Sequence, residues 1–250
     1  NAPGVPTAPY RAAESRDELA EAADAIGYPC IAKTRRFGYD GKGQARLTCR
    51  ADADGVWKAL SQRQIIVEAV VDFDCEISAA AVRSARGQTA LFPITRNEHD
   101  NHILSRSFAP ADIAPAAARQ AQDYALALAV ALDYVGVLSV EFFLTRDGAI
   151  LANEIAPRVH NSFHWTLEGA VTSQFEQHIR AIANWPLGAP TPVGQSEMHN
   201  LLGDEVERWA DYLAKPGAHL HLYGKQTPRP GRKMGHVTWV EPGDGKPPAG

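Results

Sequence analysis

The 250 residues carry 25 Lys and Arg against 29 Asp and Glu, a formal charge of −4, and 45% of them are hydrophobic. That balance is globular, allows a substantial core, and argues against a general nucleic-acid binder. No apolar run is long enough to span a bilayer and the start shows no signal pattern, so the expected setting is the cytoplasm. Cys30, Cys49 and Cys75 are odd in number and lack metal-ligand spacing, which favours free or buried thiols in a reducing compartment over disulfides or zinc. The chain opens on NAPGVPTAPY, a Pro-rich connector without an initiating Met, as a domain cut from a longer protein would.

Residues 15–26, SRDELAEAADAI, predict an amphipathic helix with Leu19, Ala22, Ala23 and Ile26 on one face, Ser15 or Asp17 as cap and Gly27 as its end. PCIAK then reads as a strand, GYDGKGQ as a loop and ARLT as the returning strand, followed by a helix over ADADGVWKALSQ that Gly55 weakens. QIIVEAVV, CEISAAAVRS and TALFPIT suggest antiparallel strands over residues 65–95. The strongest helix is 114–133, rich in Ala and Leu, with its Pro in the first turn. VGVLSVEFFLT and AILANEIA are two strands joined by RDG, a helix spans 173–183, and residues 196–240 mix short strands and turns. Without a regular βαβ alternation the class is α+β with mainly antiparallel sheets.

The Asp147-Gly148 pair is a hairpin signal, because a two-residue type I′ turn needs left-handed backbone angles at both positions. With that turn, Glu141 lies directly across from Glu154, with Cβ atoms about 4.5–5.5 Å apart. Two unit charges about 5 Å apart repel by roughly 3 kcal/mol at an effective dielectric near 20. Phe142, Phe143, Leu144, Ile150 and Leu151 imply that one face of the hairpin is buried, so the pair needs a shared proton or a cation. Carboxylates on rigid strands suit Mg²⁺, with Asn153 as a further polar ligand; the alternatives are a shifted register or two solvated side chains. The run NEIAPRVHNSFHW, 153–165, packs one carboxylate, one Arg, two His and two Asn where the chain leaves that sheet.

KTRRFGYDGKGQ places Gly38, Gly41 and Gly43 between two strands rather than ahead of a helix, which excludes a P-loop or dinucleotide fingerprint. Such a loop can close over phosphates with its backbone N–H groups, with Lys33 as a charged donor, or it can be a plain hairpin loop with solvated Lys and Arg.

Taken together, GYPCIAKTRRFGYDGKGQ, VEAVVDFDCEIS, VGVLSVEFFLT, LANEIAPRVHNS and YGKQTPRPGRKMGH resemble, in this order and over nearly the whole chain, the ATP-grasp superfamily, and within it the N5-carboxyaminoimidazole ribonucleotide synthetase family. The resemblance implies an ATP-grasp fold over residues 1–183, with a small lid subdomain at about 8–70 and a larger one at about 71–183, and a C-terminal subdomain over 184–250. It implies ATP and Mg²⁺ as cofactors, aminoimidazole ribonucleotide and bicarbonate as substrates, and a homodimer that binds neither nucleic acid nor membrane. It further implies Lys33 on phosphate; Gly38, Tyr39, Asp40, Gly41, Lys42, Gly43 and Gln44 as the loop over the nucleotide; and Glu68, Ala69, Val70 and Val71 as the adenine hinge. Glu76 is implied on the ribose, His99 on the nucleotide, and Glu141 and Glu154 on the metal beside Asn153.

Arg158, His160, Asn161 and Ser162 are then implied to line the place where bicarbonate attacks the γ-phosphate to give carboxyphosphate, which carboxylates the N5 amine. Tyr39 and Asp40 stand near the ribonucleotide and the proton transfer, and Lys225 and Arg232 contact the ribonucleotide, with Lys233 assisting at its phosphate. Two departures stand out. Phe163 replaces the Gly usual in HNSGHW, where it either reshapes the pocket or packs inward. The family also carries an N-terminal Rossmann-like domain, about a hundred residues long, ahead of this chain. The alternatives are an ATP-grasp ligase with another acceptor and a nucleotide-binding fragment inactive alone. His199, His219 and His221 are expected in plain core or surface packing.

Overall fold

The computed structural model describes residues 4–35, 43–61 and 64–242. They divide into two compact units, one drawn from residues 6–73 with 101–103, the other from the residues before 6, from 74–100 and from 104 onward.

In the smaller unit, β1 (Tyr10–Ala13), β2 (Cys30–Thr34), β3 (Gln44–Leu47) and β4 (Ile65–Ala69) form an antiparallel sheet in the order β1-β4-β2-β3. Helices α1 (Arg16–Ile26) and α2 (Ala53–Ala59) cover one face. Ser15 caps α1 by accepting from the Glu18 N–H, and Gly27 ends it at φ +95°, so both expected end signals operate. Leu19, Ala20, Ala22 and Ala23 are buried against Ala32, Leu47, Ile65 and Val67. Ile26, expected on that face, is only partly buried. Helix α2 is shorter than its pattern suggested, and the sequence ahead of it forms a 3₁₀ turn over Arg50–Asp52.

In the larger unit the sheet runs β10-β9-β5-β7-β8-β11-β13-β12, with β6 (Thr89–Leu91) paired to β5 off that path. The strands are β5 (Phe73–Arg83), β7 (Thr95–Asp100), β8 (Ile103–Ala109), β9 (Gly136–Thr145), β10 (Ile150–Ala156), β11 (Gly194–Leu202), β12 (Ala218–Leu222) and β13 (Lys233–Pro242). The helices are α3 (Pro115–Ala131), α4 (Thr166–Gly169), α5 (Gln174–Ile182) and α6 (Trp209–Leu213). The TALFPIT run, expected as one strand, holds β6 and only the start of β7. Residues beyond 184 share this sheet through β11, β13 and β12, and β11 and β13 are long strands rather than the short ones expected.

Strand alternation decides which side chains meet. Ile77, Ala79 and Ala81 of β5 and Leu138, Val140, Phe142 and Leu144 of β9 pack with Ala121, Ala125 and Ala129 of α3. Each fully buried large side chain there contributes about 1.5–3 kcal/mol. The opposite face takes Ala80, Val82, Val137 and Met198, with Phe163 and Trp165 packed over them. The same alternation, followed along β5, β7 and β9, brings Glu76, His99 and Glu141 to that second face.

Candidate active site

The β9–β10 hairpin is built differently from the two-residue turn expected. Thr145 N–H donates to Ala149 O and Gly148 N–H to Thr145 O, both at 2.9 Å, so Arg146, Asp147 and Gly148 form a three-residue loop. Of these three, Gly148 takes the left-handed angle, at φ +86°. This is the type I turn closed by a glycine bulge, the next commonest hairpin. The ladder then pairs Leu144 with Ile150, Phe143 with Leu151 and Phe142 with Ala152, one residue off the expected register. A bulge between Ala152 and Glu154 absorbs Asn153 and restores it, so that Glu141 does face Glu154. Without the bulge, Glu154 would point to the other face, since a one-residue slip inverts every side chain.

Glu141 is largely buried, with its side chain 18% exposed, whereas Glu154 is exposed. Burial pushes the Glu141 carboxyl up; His99 and Lys233 pull it down while Glu154 and Glu76 push it further, and the outcome is about 7. His99 Nδ1 meets the Glu76 carboxylate. Burial lowers the basicity of His99, but Glu76 and, less strongly, Glu141 more than offset this, so its pKa is raised. Among the described residues no three His, Cys, Asp or Glu converge as metal ligands. A cation between Glu141 and Glu154 would therefore take its other oxygens from water or phosphate, which is the habit of Mg²⁺. The crowding of carboxyl groups around buried Glu141 fits such an ion.

Strand β10 stops at Ala156, just before Pro157, and the loop that follows folds back over the same face. His160 is extended at φ −127° and ψ 149°, and its Nε2 comes within 3.6 Å of Glu141 Oε1. Burial, reinforced by Arg158 and Lys233, holds it neutral, with a pKa pushed down to about 3. Asn161 and Asn200 exchange amide hydrogen bonds of 2.9 and 2.7 Å, and Asn200 also donates to Leu104 O, so Asn161 is tied to β11. Arg158 donates to Val159 O at 3.0 Å. Phe163 is fully buried, its ring centroid 6.0 Å from Phe92 and 6.5 Å from Trp165, so it packs inward.

Lys225 reaches Lys233 O and stacks 5.4 Å over Tyr223, while Arg232 donates to Thr227 O at 2.9 Å. Both cations thus brace the turn ahead of β13. In the smaller unit, Lys33 and Glu68 form an ion pair of 2.6 Å across β2 and β4. Gly43 at φ +79° leads into Gln44, which pairs with Lys33, and Ala69 ends β4 with Val70 exposed beyond it. Gly38, Tyr39, Asp40, Gly41 and Lys42 lie outside the described residues.

His164, Tyr223 and His236 enter without any role expected for them. His164 stacks on Phe175 at 5.4 Å and lies 5.0 Å from His236, whose Nδ1 shares a hydrogen bond of 2.7 Å with Tyr223 Oη. His221, expected in plain packing, stacks on His236 at 4.6 Å and meets Glu168 at 2.6 Å. Burial pushes His236 down to about 3 and His164 to about 4. His199 packs edge-on against Tyr212. This cluster joins residues of four separate elements, and no local spacing in the sequence signals it.

The class of the protein follows from a family model described as ATP-grasp domain, which matches residues 1–175. A second, described as phosphoribosylaminoimidazole carboxylase C-terminal domain, matches residues 196–246. The chain is 46% identical to N5-carboxyaminoimidazole ribonucleotide synthase of Brucella melitensis, covering 97% of this chain and 67% of that one. It superposes with a TM-score of 0.86 on the synthetase from Thermus thermophilus, at 45% identity over 96% of this chain and 64% of that one. With the synthase from Aspergillus clavatus in complex with ADP and 5-aminoimidazole ribonucleotide the TM-score is 0.88, at 32% identity over 96% and 65%. The chain belongs to the ATP-grasp family and, within it, to the N5-carboxyaminoimidazole ribonucleotide synthases. It spans about two thirds or less of the length of these relatives.

Proposed function

We propose that this chain forms the nucleotide-grasping part of an enzyme that carboxylates 5-aminoimidazole ribonucleotide with bicarbonate, consuming ATP and releasing ADP and phosphate. The observation that carries this reading is the group of Glu76, His99, Glu141, Glu154 and His160 on one sheet face, in a chain similar to enzymes named for that product. Glu141 and Glu154 would hold Mg²⁺, which when bound neutralises phosphate charge and aligns its oxygens. Lys33 would exchange Glu68 for a phosphate oxygen, Glu76 would accept from the ribose, and Glu68 to Val71 would hold adenine by backbone groups. Gly38 to Gln44 would close over the phosphates and exclude water, protecting carboxyphosphate from hydrolysis. Arg158 and His160 would receive the carboxylate oxygens, with Asn161 holding the loop. Lys225 and Arg232 would face the ribonucleotide, and Tyr39 and Asp40 the proton transfer. The working enzyme would be a cytoplasmic homodimer.

The test is phosphate release from MgATP in bicarbonate buffer, with and without the ribonucleotide, on this chain and on a protein of the relatives' full length. Stimulation by the ribonucleotide with carboxylated product supports the reading. No stimulation in the longer protein turns it toward another acceptor.

A further inference from the structure

The loop over residues 157–164 has left the sheet, so the backbone groups of His160 have no strand neighbour. Buried N–H and C=O groups need partners. Gln174, the first residue of α5 and fully buried, supplies both: His160 N–H donates to Gln174 Oε1, and Gln174 Nε2 donates to His160 O, each at 2.8 Å. These two bonds also fix which end of the carboxamide is oxygen. The remaining Nε2 hydrogen points at His164 Nδ1, 2.9 Å away, and Gln174 N–H donates to Thr166 Oγ1 at 3.0 Å. A single side-chain amide thus does the work of an adjacent strand.

The ring is fixed separately. Ser162 is fully buried, with its Oγ 2.9 Å from His160 Nδ1 and its backbone N–H directed at the same nitrogen from 3.4 Å. A backbone N–H only donates, so Nδ1 holds the lone pair and the Ser162 hydroxyl donates as well. The ring proton then sits on Nε2, the nitrogen 3.6 Å from Glu141 Oε1. That separation is too long for a strong bond to the carboxylate and leaves the N–H available to an oxyanion.

We propose that Ser162 and Gln174 are positioning residues that hold His160 in the Nε2–H tautomer and aim that N–H, beside Glu141, at an oxyanion of the reacting carboxylate or phosphoryl group. The role of the oxyanion rests on the proposed carboxylation; the tautomer and its supports do not. Orienting a histidine through its other ring nitrogen is a general way of fixing its function.

Long-range proton–nitrogen correlation spectra of the chain labelled with ¹⁵N-histidine give the tautomer directly, with His160→Gln identifying the signal. The expected wild-type signal is Nε2–H alone. Ser162→Ala, which nearly keeps the volume, leaves the weaker backbone donor at 3.4 Å and removes the closer hydroxyl donor at 2.9 Å, so it should bring in a fraction of the Nδ1–H form with the melting temperature little changed. In a catalytically competent full-length protein, both Ser162→Ala and the near-isosteric Gln174→Glu should lower kcat at least tenfold with KM for ATP within about twofold. An Nδ1–H wild type, an unchanged tautomer in Ser162→Ala, or a loss of melting temperature with no change of tautomer overturns the proposal. Absence of turnover in the wild type would instead count against the carboxylation reading, and the spectra would still decide the tautomer.

Discussion

In the smaller unit, Lys33 and Glu68 lie diagonally across two antiparallel strands and neutralise each other at 2.6 Å. In the larger unit, Glu141 and Glu154 lie directly across β9 and β10, and both are acids. Both pairs sit on neighbouring antiparallel strands, and the sign of one partner separates an ion pair from a charge excess. Partly exposed pairs of the first sort contribute about 1 kcal/mol or less. The second sort is costly for the fold alone, because Glu141 is buried near Glu154 and Glu76, with His99 and Lys233 as the compensating cations. That cost is what the proposed cation would offset.

The contrast can be broken most strongly by removing the excess charge. Glu141→Gln and Glu154→Gln should each lower Mg²⁺-dependent phosphate release about 100-fold while the fold stays intact; turnover near that of the wild type would remove the residue from the site. Stability should move the other way. Folded Glu141 keeps its proton up to about 7, where the unfolded carboxyl has already lost it. The resulting stabilisation is complete below the ordinary carboxylate range and is lost as pH rises through about 7, an effect on the order of 3 kcal/mol. Without Mg²⁺, melting temperature should therefore fall between pH 5 and 8, and Glu141→Gln should flatten that limb.

His236 and His164, pushed down to about 3 and 4, have the opposite sign. Their contribution is present above the ordinary histidine range and disappears as pH falls toward those values, so acid melting should begin below about pH 6.5. His236→Gln should move that limb to lower pH. The smallest change is expected from Glu68→Gln, which removes the carboxylate of the ion pair with Lys33 and should cost about 1 kcal/mol or less in denaturant unfolding.

Local signals carried the elements far. Ser15 and Gly27 set the ends of α1, and Ala-rich periodicity with Pro115 at its start set α3. The facing of Glu141 and Glu154 was legible too, although through two departures that cancel: the turn has one residue more than Asp147-Gly148 suggested, and Asn153 is bulged. Bulges leave no composition signal, so only the structure reveals that the second departure rescues the first. What stayed hidden depends on distant pairing. His236 meets His221 because β12 and β13 are neighbours, and meets His164 because the loop after β10 folds over that face. Gln174 reads as an ordinary helix residue until its amide is seen serving His160. Phe163 needed Phe92 and Trp165 around it to show that the ring is core.

The most direct test of the charge-excess account is the melting temperature at pH 8 with a non-hydrolysable ATP analogue, titrated with Mg²⁺. Wild type should gain a clear Mg²⁺-dependent rise, and the double variant Glu141→Gln/Glu154→Gln should lose that dependence. An equal rise in both proteins would contradict the assignment of the facing carboxylates as the cation site.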